Sequence, residues 1–515
     1  MRTLNKLLKK IFNRAVVCII GIVLQVAYLV MVFLTFGTLY TYSYFIFLGL
    51  GIALSLYIYN RDINPSYKLA WIFVILSFPL FGVMFYIFFG NNHSGDRLRK
   101  RMMQYSDESK VLLPQDDDLM GALHRDSPAA EKQAKYLYDY SGYPVYSDTS
   151  TTYFASGEDK FAAMIDELEK AERFIFLEYF IIAKGKMWST ILDILERKVK
   201  SGVDVRLIYD DVGCLLTLPY KYNEEMERRG IKCRVFNPFR PIWSAKMNNR
   251  DHRKILVIDG HTAFTGGINL ADEYINAYEK YGHWKDSAVM LRGAGVWSFT
   301  EMFLTMWSFL EKDNREDHRK FMPHPEDIRG VHGDGVVVPF TDSPLDDEPV
   351  GENVYLNIIN SAENYVYITT PYLVIDNEMQ TALVLAAKSG VDVRIITPHI
   401  PDKWFVFAVT RAHYRKLLRY GIKIYEYTPG FIHAKNWVSD DKAAVVGTIN
   451  LDFRSLYLHF ECAAWMYRCE CIPDIKNDYL ETLKQCQEIT YSDCIHISIF
   501  RRIARAVLRL FAPMM

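Results

Sequence analysis

Two short stretches of the chain carry the same chemistry-bearing residues at the same spacing. In DHRKILVIDGHTAFTGGIN they are His252, Lys254, Asp259, Gly266 and Asn269; in IHAKNWVSDDKAAVVGTIN they are His433, Lys435, Asp440, Gly447 and Asn450. Measured from the histidine, every offset agrees. The HxKxxxxD part alone arises easily by chance, but the glycine and asparagine at fixed further offsets, seen twice, do not. Each stretch offers an imidazole, an ammonium and an amide. Displacement at phosphorus in a phosphodiester needs a nucleophile on one face and a proton donor to the leaving oxygen on the other. Histidine suits both roles, because its ordinary pKa lies near neutral. Two lysines and two asparagines can neutralise the equatorial oxygens, with Asn269 and Asn450 as candidate phosphate ligands, and no metal or cofactor is then required.

The elements that must position these groups follow from periodicity. KILVID reads as a β-strand, which puts His252 and Lys254 on one face. Asp259 falls at an Asp–Gly turn from which a short hairpin returns through TAFT. GGIN then opens the next segment with backbone N–H groups suited to an anion. The scaffold repeats as well: KSGVDVRLIYDD at 200–211 recurs as KSGVDVRIITPH at 388–399, identical over 200–206 and 388–394. A β-rich run precedes each copy (FIFLEYFII at 174–182, YVYITTPYLV at 365–374), followed by a helix-forming stretch. Strand–helix–strand order with glycine at the helix end predicts βαβ units. Two α/β halves, sheets covered by helices, would then form a pseudo-twofold pair with something shared at their junction.

Composition narrows the partners. With 60 Lys+Arg against 61 Asp+Glu in 515 residues the formal net charge is −1, and no basic stripe is interleaved with aromatics, so nucleic acid is not the expected partner. The eight cysteines show no paired CxxC spacing. Cys469 and Cys471 read as half-buried thiols, and nothing demands an oxidising compartment.

Three apolar stretches, at 15–36, 40–60 and 69–90, reach the about 20 residues that a bilayer span needs. The first follows a basic run (Arg2, Lys6, Lys9, Lys10, Arg14) but is too long for a secretory signal and lacks a cleavage site, so it reads as an anchor. The positive-inside rule puts the N-terminus, the 61–68 loop and the cluster Arg97, Arg99, Lys100 and Arg101 all in the cytoplasm. Three full spans cannot satisfy both ends. Either one segment lies in the interface or the last cluster is translocated; a cytoplasmic catalytic region is the expectation. Near the C-terminus Ile499, Ile503, Val507 and Leu510 share a helical face, away from Arg501, Arg502, Arg505 and Arg509. That pattern fits a basic amphipathic helix lying on anionic lipid, or one packed on the domain. The expected organisation is a membrane anchor over 1–92, a linker over 93–130, lobes over 131–328 and 329–494, and a terminal helix over 495–515.

The paired motifs resemble those of the phospholipase D superfamily. The flanks HWKDSAVMLRG (283–293), DSPLDDEPVGENVYLNII (342–359), TTPYLVIDNEM (369–379) and GTINLDFRSLYLHFE (447–461) resemble, more narrowly, the bacterial cardiolipin synthases. The likeness covers about residues 60–515, and NPSYKLAWIFVILSFPLFG resembles that family's membrane region; the extra first apolar segment departs from its common two-span hairpin. The resemblance implies an α/β fold of two phospholipase D-like lobes, mixed β-sheets flanked by helices, behind N-terminal transmembrane helices in the bacterial cell membrane. It implies transfer of a phosphatidyl group between two phosphatidylglycerol molecules, giving cardiolipin and glycerol through a phosphatidyl-histidine. His252 would be the nucleophile by superfamily precedent. The other histidine would protonate the departing glycerol, then deprotonate the incoming alcohol. Asp259 and Asp440 would be structural hydrogen-bond partners, and Asp286 and Glu461 would orient the histidines. Because one phosphodiester replaces another, no nucleotide is needed, and the sequence has no GxxxxGK[ST] loop. A hydrolytic phospholipase D and a membrane-tethered nuclease are the alternatives.

Overall fold

The computed structural model describes residues 40–90, 96–239, 248–311 and 316–514, with Ala27, Val30 and Met31. The first apolar stretch, 15–36, therefore lies almost wholly outside the described residues. The second forms helix α1 (Tyr40–Tyr59). The third differs from expectation: it is two helices, α2 (Pro65–Ser77) and α3 (Pro79–Phe89). Proline has no N–H to donate and disfavours helical backbone in the residue before it. Phe78 accordingly leaves the helix at φ −137°, and Pro79 starts a new one. The two run back to back, with Trp71 against Phe85 and Tyr86 and no room for a Cβ on Gly82 beside the Ile75 backbone. At about 1.5 Å per residue they are about 20 and 17 Å long, short of a core about 30 Å thick. Among the described residues no helix is long and apolar enough to cross a membrane. The 93–130 stretch, expected as a linker, carries helices Asp96–Lys110 and Asp117–Asp126, and Met102, Leu113 and Leu123 join the main core.

In the first half, β1 (Thr149–Phe154), β2 (Phe174–Tyr179), β3 (Asp204–Asp210), β4 (Lys232–Phe236), β5 (Arg250–Asp251), β6 (Lys254–Ile258), β7 (Thr262–Gly266), β8 (His283–Lys285) and β9 (Ala288–Gly293) follow in order. Seven of them form a mixed sheet, β1-β9-β7-β6-β2-β3-β4. The second half has β10 (Val336–Asp342), β11 (Tyr365–Thr369), β12 (Asp392–Pro398), β13 (Lys423–Tyr427), β14 (Gly430–Ile432), β15 (Asn436–Ser439), β16 (Ala443–Gly447), β17 (His459–Tyr467) and β18 (Cys486–Ile489). Its sheet runs β10-β17-β16-β15-β11-β12-β13-β18. Position for position the orders match, with β18 added at one edge; this is the pseudo-twofold pair the repeat predicts. The repeated KSG is the helix stop before β3 and β12. Gly202 and Gly390 take φ of +92° and +98°, and the next residue's N–H reaches back to Lys198 or Ala386, a left-handed cap that glycine adopts without strain. One apolar core joins both sheets and encloses the helix Val296–Glu311.

The halves are stitched together by the strands left over. β5 pairs in parallel with the start of β17, Arg250 opposite His459 and Asp251 opposite Phe460. β14 pairs in parallel with β8, Phe431 opposite Trp284 and Ile432 opposite Lys285. The segment just before each HxK motif thus pairs with a strand of the other half: β5 joins the second sheet at β17, and β14 forms a separate two-stranded sheet with β8.

Candidate active site

Carried one residue further, that register sets each histidine against a carboxylate of the opposite half. His252 Nδ1 lies 2.9 Å from both oxygens of Glu461, and His433 Nδ1 lies 2.8 Å from Asp286 Oδ2. The backbone repeats the exchange: His252 N–H donates to the Phe460 carbonyl at 2.9 Å and His433 N–H to the Lys285 carbonyl at 2.7 Å. A carboxylate on Nδ1 fixes that nitrogen as the protonated one and leaves Nε2 with its lone pair. All four side chains are buried.

The expectation that His252 and Lys254 share a strand face needs correction. His252 sits in the gap between β5 and β6, where the chain changes sheets, and Lys254 begins β6. The lysine still reaches its histidine, donating to the His252 carbonyl at 2.5 Å. Lys435 donates to the His433 carbonyl, and its Nζ lies 2.9 and 3.1 Å from the two ring nitrogens. The backbone N–H groups of GGIN and GTIN are likewise not open to an anion at their second position. Gly267 N–H donates to Ser287 and Thr448 N–H to Cys462, because both segments are still paired to the neighbouring strand.

The one difference between those tetrapeptides has a cause. A Cβ on Gly267 would fall 2.0 Å from Asp286 Oδ1, so only glycine leaves room for the carboxylate that holds His433. In the other half Thr448 stands there, and its hydroxyl donates to Glu461.

Asp259 and Asp440 lie at the far ends of β6 and β15, in the turns, at φ of +53° and +54°. Asp259 accepts from the backbone N–H groups of Glu172, Arg173 and Phe174 at 2.7–2.8 Å. Asp440 does the same for Glu363, Asn364 and Tyr365 at 2.6–2.8 Å. Each pins the start of β2 or β11 to the motif hairpin. Asn269 accepts from Ile181 N–H at 3.0 Å and donates to the Tyr274 hydroxyl at 2.7 Å, whereas buried Asn450 Oδ1 has no hydrogen-bond partner.

Burial and the crowding of four basic side chains set the electrostatics. Burial foremost, then Lys254, and Lys435 and His433 from the other half, hold His252 well below its ordinary pKa. Burial and then Lys435 bring His433 down to about 4, against the pull of Asp286. Burial lowers Lys254 to about 8 and Lys435 to about 7, opposed by Glu461 and Asp286 respectively. Such a site favours the arrival of an anion: a phosphodiester would relieve the crowded positive charge and let one imidazole take a proton.

Several neighbours escaped the sequence reading. His459 has its ring 5.5 Å from that of His252, and its only signal is its place two residues before Glu461 on one strand face. Phe180 stands edge-on to His252 at 5.0 Å, and Trp284 and Tyr274 lie 5.5 and 5.6 Å from His433. Lys160 is fully buried, and burial brings it to about 7 against the pull of Asp286; nothing in its local sequence separates it from a surface lysine. Among the described residues His252, His459 and Glu461 are spaced as a metal would need, their ligand atoms within 4.8 Å of one another. Cys469 and Cys471 are buried free thiols.

Comparison with known proteins agrees with the two-lobed organisation. A family model described as "Cardiolipin synthase, PLD-like domain" matches residues 164–289 and 355–483, one match per half, and "Phospholipase D-nuclease N-terminal" matches 49–91. The chain is 48% identical to an uncharacterized protein of Streptococcus mutans serotype c, over 88% of this chain and 98% of the relative. It is 36% identical to a cardiolipin synthase of Geobacillus thermodenitrificans, over 88% and 89%. The crystal structure of phosphatidylserine synthase from Haemophilus influenzae superposes with a TM-score of 0.56 at 16% identity, over 74% of this chain and 98% of that one, a likeness of fold.

Proposed function

The chain belongs to the bacterial cardiolipin synthase family of the phospholipase D superfamily, a family of phospholipid transferases, and from that premise we propose that it joins two phosphatidylglycerol molecules into cardiolipin and glycerol. The observation that carries the reading is the crossed pair of histidines, each with Nδ1 on a carboxylate of the other half. One imidazole attacks phosphorus through Nε2; the P–N bond forms as the P–O bond to glycerol breaks. The other imidazole, protonated once the phosphodiester is bound, gives its proton to the departing oxygen. It then removes a proton from the hydroxyl of the second phosphatidylglycerol, whose oxygen attacks phosphorus and returns the first histidine. Lys254 and Lys435 would balance the equatorial oxygens. Asp259 and Asp440 hold the scaffold, and Asn269 and Asn450 are assigned to the phosphate's surroundings.

The reading also places the protein at a bacterial membrane. Phe45, Leu50, Phe73, Phe81 and Ile87 on α1–α3 leave their side chains exposed, as do Phe500, Ile503 and Val507 on the C-terminal helix Ile499–Leu510. The tail after that helix reaches the hairpin, with Phe511 edge-on to Phe73 at 6.2 Å. Exposed apolar area of this extent suits lipid contact, with Arg501 and Arg502 exposed toward anionic head groups. Incubating the purified full chain with phosphatidylglycerol vesicles and separating the lipids tests the reading: cardiolipin with release of glycerol is expected. Phosphatidic acid as the sole product would make it a hydrolase, and unchanged lipid would defeat it.

A further inference from the structure

The two halves differ at a buried position behind the histidines. In the first, Lys160 lies on the helix Gly157–Lys170, between β1 and β2, and has no exposed surface. Its Nζ donates to the Ile268 carbonyl at a long 3.4 Å and stands 5.4 Å from the centre of the Tyr179 ring. In the second, the corresponding helix Val350–Ser361, between β10 and β11, carries buried Tyr355, whose hydroxyl donates to the Ile449 carbonyl at 3.0 Å. Ile268 and Ile449 occupy the same place in GGIN and GTIN. Equivalent carbonyls are thus held by an ammonium in one half and by a phenol in the other.

Tyr355 shows that a neutral group is enough for this bond. Burying an ammonium costs more than burying a hydroxyl unless an opposite charge is near, so the charge itself calls for a reason. Asp286 supplies one. Gly267, the residue before Ile268, packs so closely on Asp286 that a Cβ would fall 2.0 Å from Oδ1, and the ammonium and the carboxylate therefore flank the same two residues. Asp286 is the charge that offsets burial at Lys160, with Lys254 opposing it. Its Oδ2 in turn holds His433 Nδ1 at 2.8 Å. Lys435 beside it, Lys254 and His252 from the first motif, and Tyr274, whose ring is 5.6 Å away, also face His433.

We propose that Lys160 is a positioning residue: acting through Asp286, it sets how readily His433 takes a proton, and so makes two chemically alike half-sites unequal. The assignment rests on the transferase reading and adds to it a residue behind the reacting groups. The sign follows from the charges. A cation behind Asp286 draws on the carboxylate that would otherwise stabilise the imidazolium, and repels the imidazolium itself. Lys160, brought to about 7, is charged where His433, brought to about 4, takes its proton. Removing that charge should let His433 hold its proton to higher pH.

The pH profile of kcat for cardiolipin formation, with the full chain in phosphatidylglycerol vesicles, reads this directly, since its limbs report the acid and base of the bound complex. In Lys160→Met one limb should move up by about one pH unit, the size expected for a charge within about 10 Å. The other limb should stay, and KM should stay within about twofold. The direction is the same whether His433 serves as acid or as nucleophile. Lys160→Gln, which keeps a donor for the Ile268 carbonyl, should give the same shift and carries the test should the methionine variant fold poorly, because the position of a limb does not depend on how much protein folds. Tyr355→Phe deletes the equivalent bond without deleting a charge and should move neither limb. A fall in kcat with both limbs in place would reduce Lys160 to packing and overturn the proposal, as would both limbs moving together or one moving down. A parent that forms no cardiolipin removes the transferase reading, and the proposal with it; that failure is seen before any variant is compared, which tells the two apart.

Discussion

The crossing of the carboxylates can be tested apart from their importance. Asp286→Asn and Glu461→Gln keep shape and burial but remove the charge facing each imidazole. With both partners buried, and charge centres about 4 Å apart in an effective dielectric of about 20, the attraction lost when that imidazole is protonated is about 4 kcal/mol. Overall cardiolipin formation should then fall about 1,000-fold in either variant. The assignment comes from a donor lipid whose leaving group is p-nitrophenol. Such a group departs as a stable anion, so the histidine that serves as acid is not needed for the first step, and single-turnover release of nitrophenol reports the nucleophile alone. His252→Ala and His433→Ala should divide into one variant that keeps the burst and one that loses it. Glu461→Gln should follow His252→Ala, and Asp286→Asn should follow His433→Ala, because each carboxylate bonds the histidine of the other half. Were each carboxylate variant to follow the histidine of its own half, the geometry argued above would be wrong.

Gly267→Ala should cut activity by about two orders of magnitude, as a Cβ displaces Asp286, whereas Thr448→Ala, which removes a hydroxyl from Glu461, should cost about tenfold; comparable kcat values for the two would contradict this. Stability should fall on acidification. Burial holds His413 near 3 and His459 near 4, below the unfolded value, so the unfolded chain takes up protons first and stability is lost from about pH 6.5 downward. Each such histidine contributes about 2 kcal/mol of loss between pH 6.5 and 5, and His413→Leu should flatten the thermal midpoint's pH slope by about that share. Activity should survive excess chelator, measured as cardiolipin formed; an absolute need for a divalent ion would instead point to His252, His459 and Glu461 as its holders. Ile503→Asp with Val507→Asp should lower turnover on vesicles more than on a short-chain dispersed substrate, and an equal loss on both would assign the C-terminal helix to packing.

The two half-sites were legible because their chemistry is local. A histidine, a lysine and a turn aspartate within eight residues survive in sequence as a spacing, and the KSG helix stop survives as a literal repeat. The lobes followed from that repeat. What was not legible is where the chain changes sheets. His252 looks like part of the KILVID strand, yet Asp251 just before it pairs with Phe460, more than two hundred residues on. Strand alternation reports faces, not partners, so it placed the imidazole on the wrong element while naming it correctly. The same limit hid His459, Lys160 and Tyr274. Each is an ordinary residue in its own segment and comes close to the motif residues only in the folded chain. Asp286 and Glu461 were reachable through resemblance, but which histidine each serves was not. That is decided by the register of two strands only two and three residues long.

The charge pattern of the N-terminal region reads differently once the break at Pro79 is known. Three full spans cannot put both the 61–68 loop and the Arg97–Arg101 cluster on one side. A third segment folded back on itself as α2 and α3 is compatible with both, because it begins and ends on the same side. Arg61 Nη1 reaches the Tyr86 hydroxyl at 3.4 Å, and Gly90 lines the same cavity as Asn64, so the hairpin's two ends do lie together. They also lie against the second lobe, through Asn64, Asp376 and Tyr457. The hairpin's apolar side chains and the catalytic lobes are thereby held as one unit.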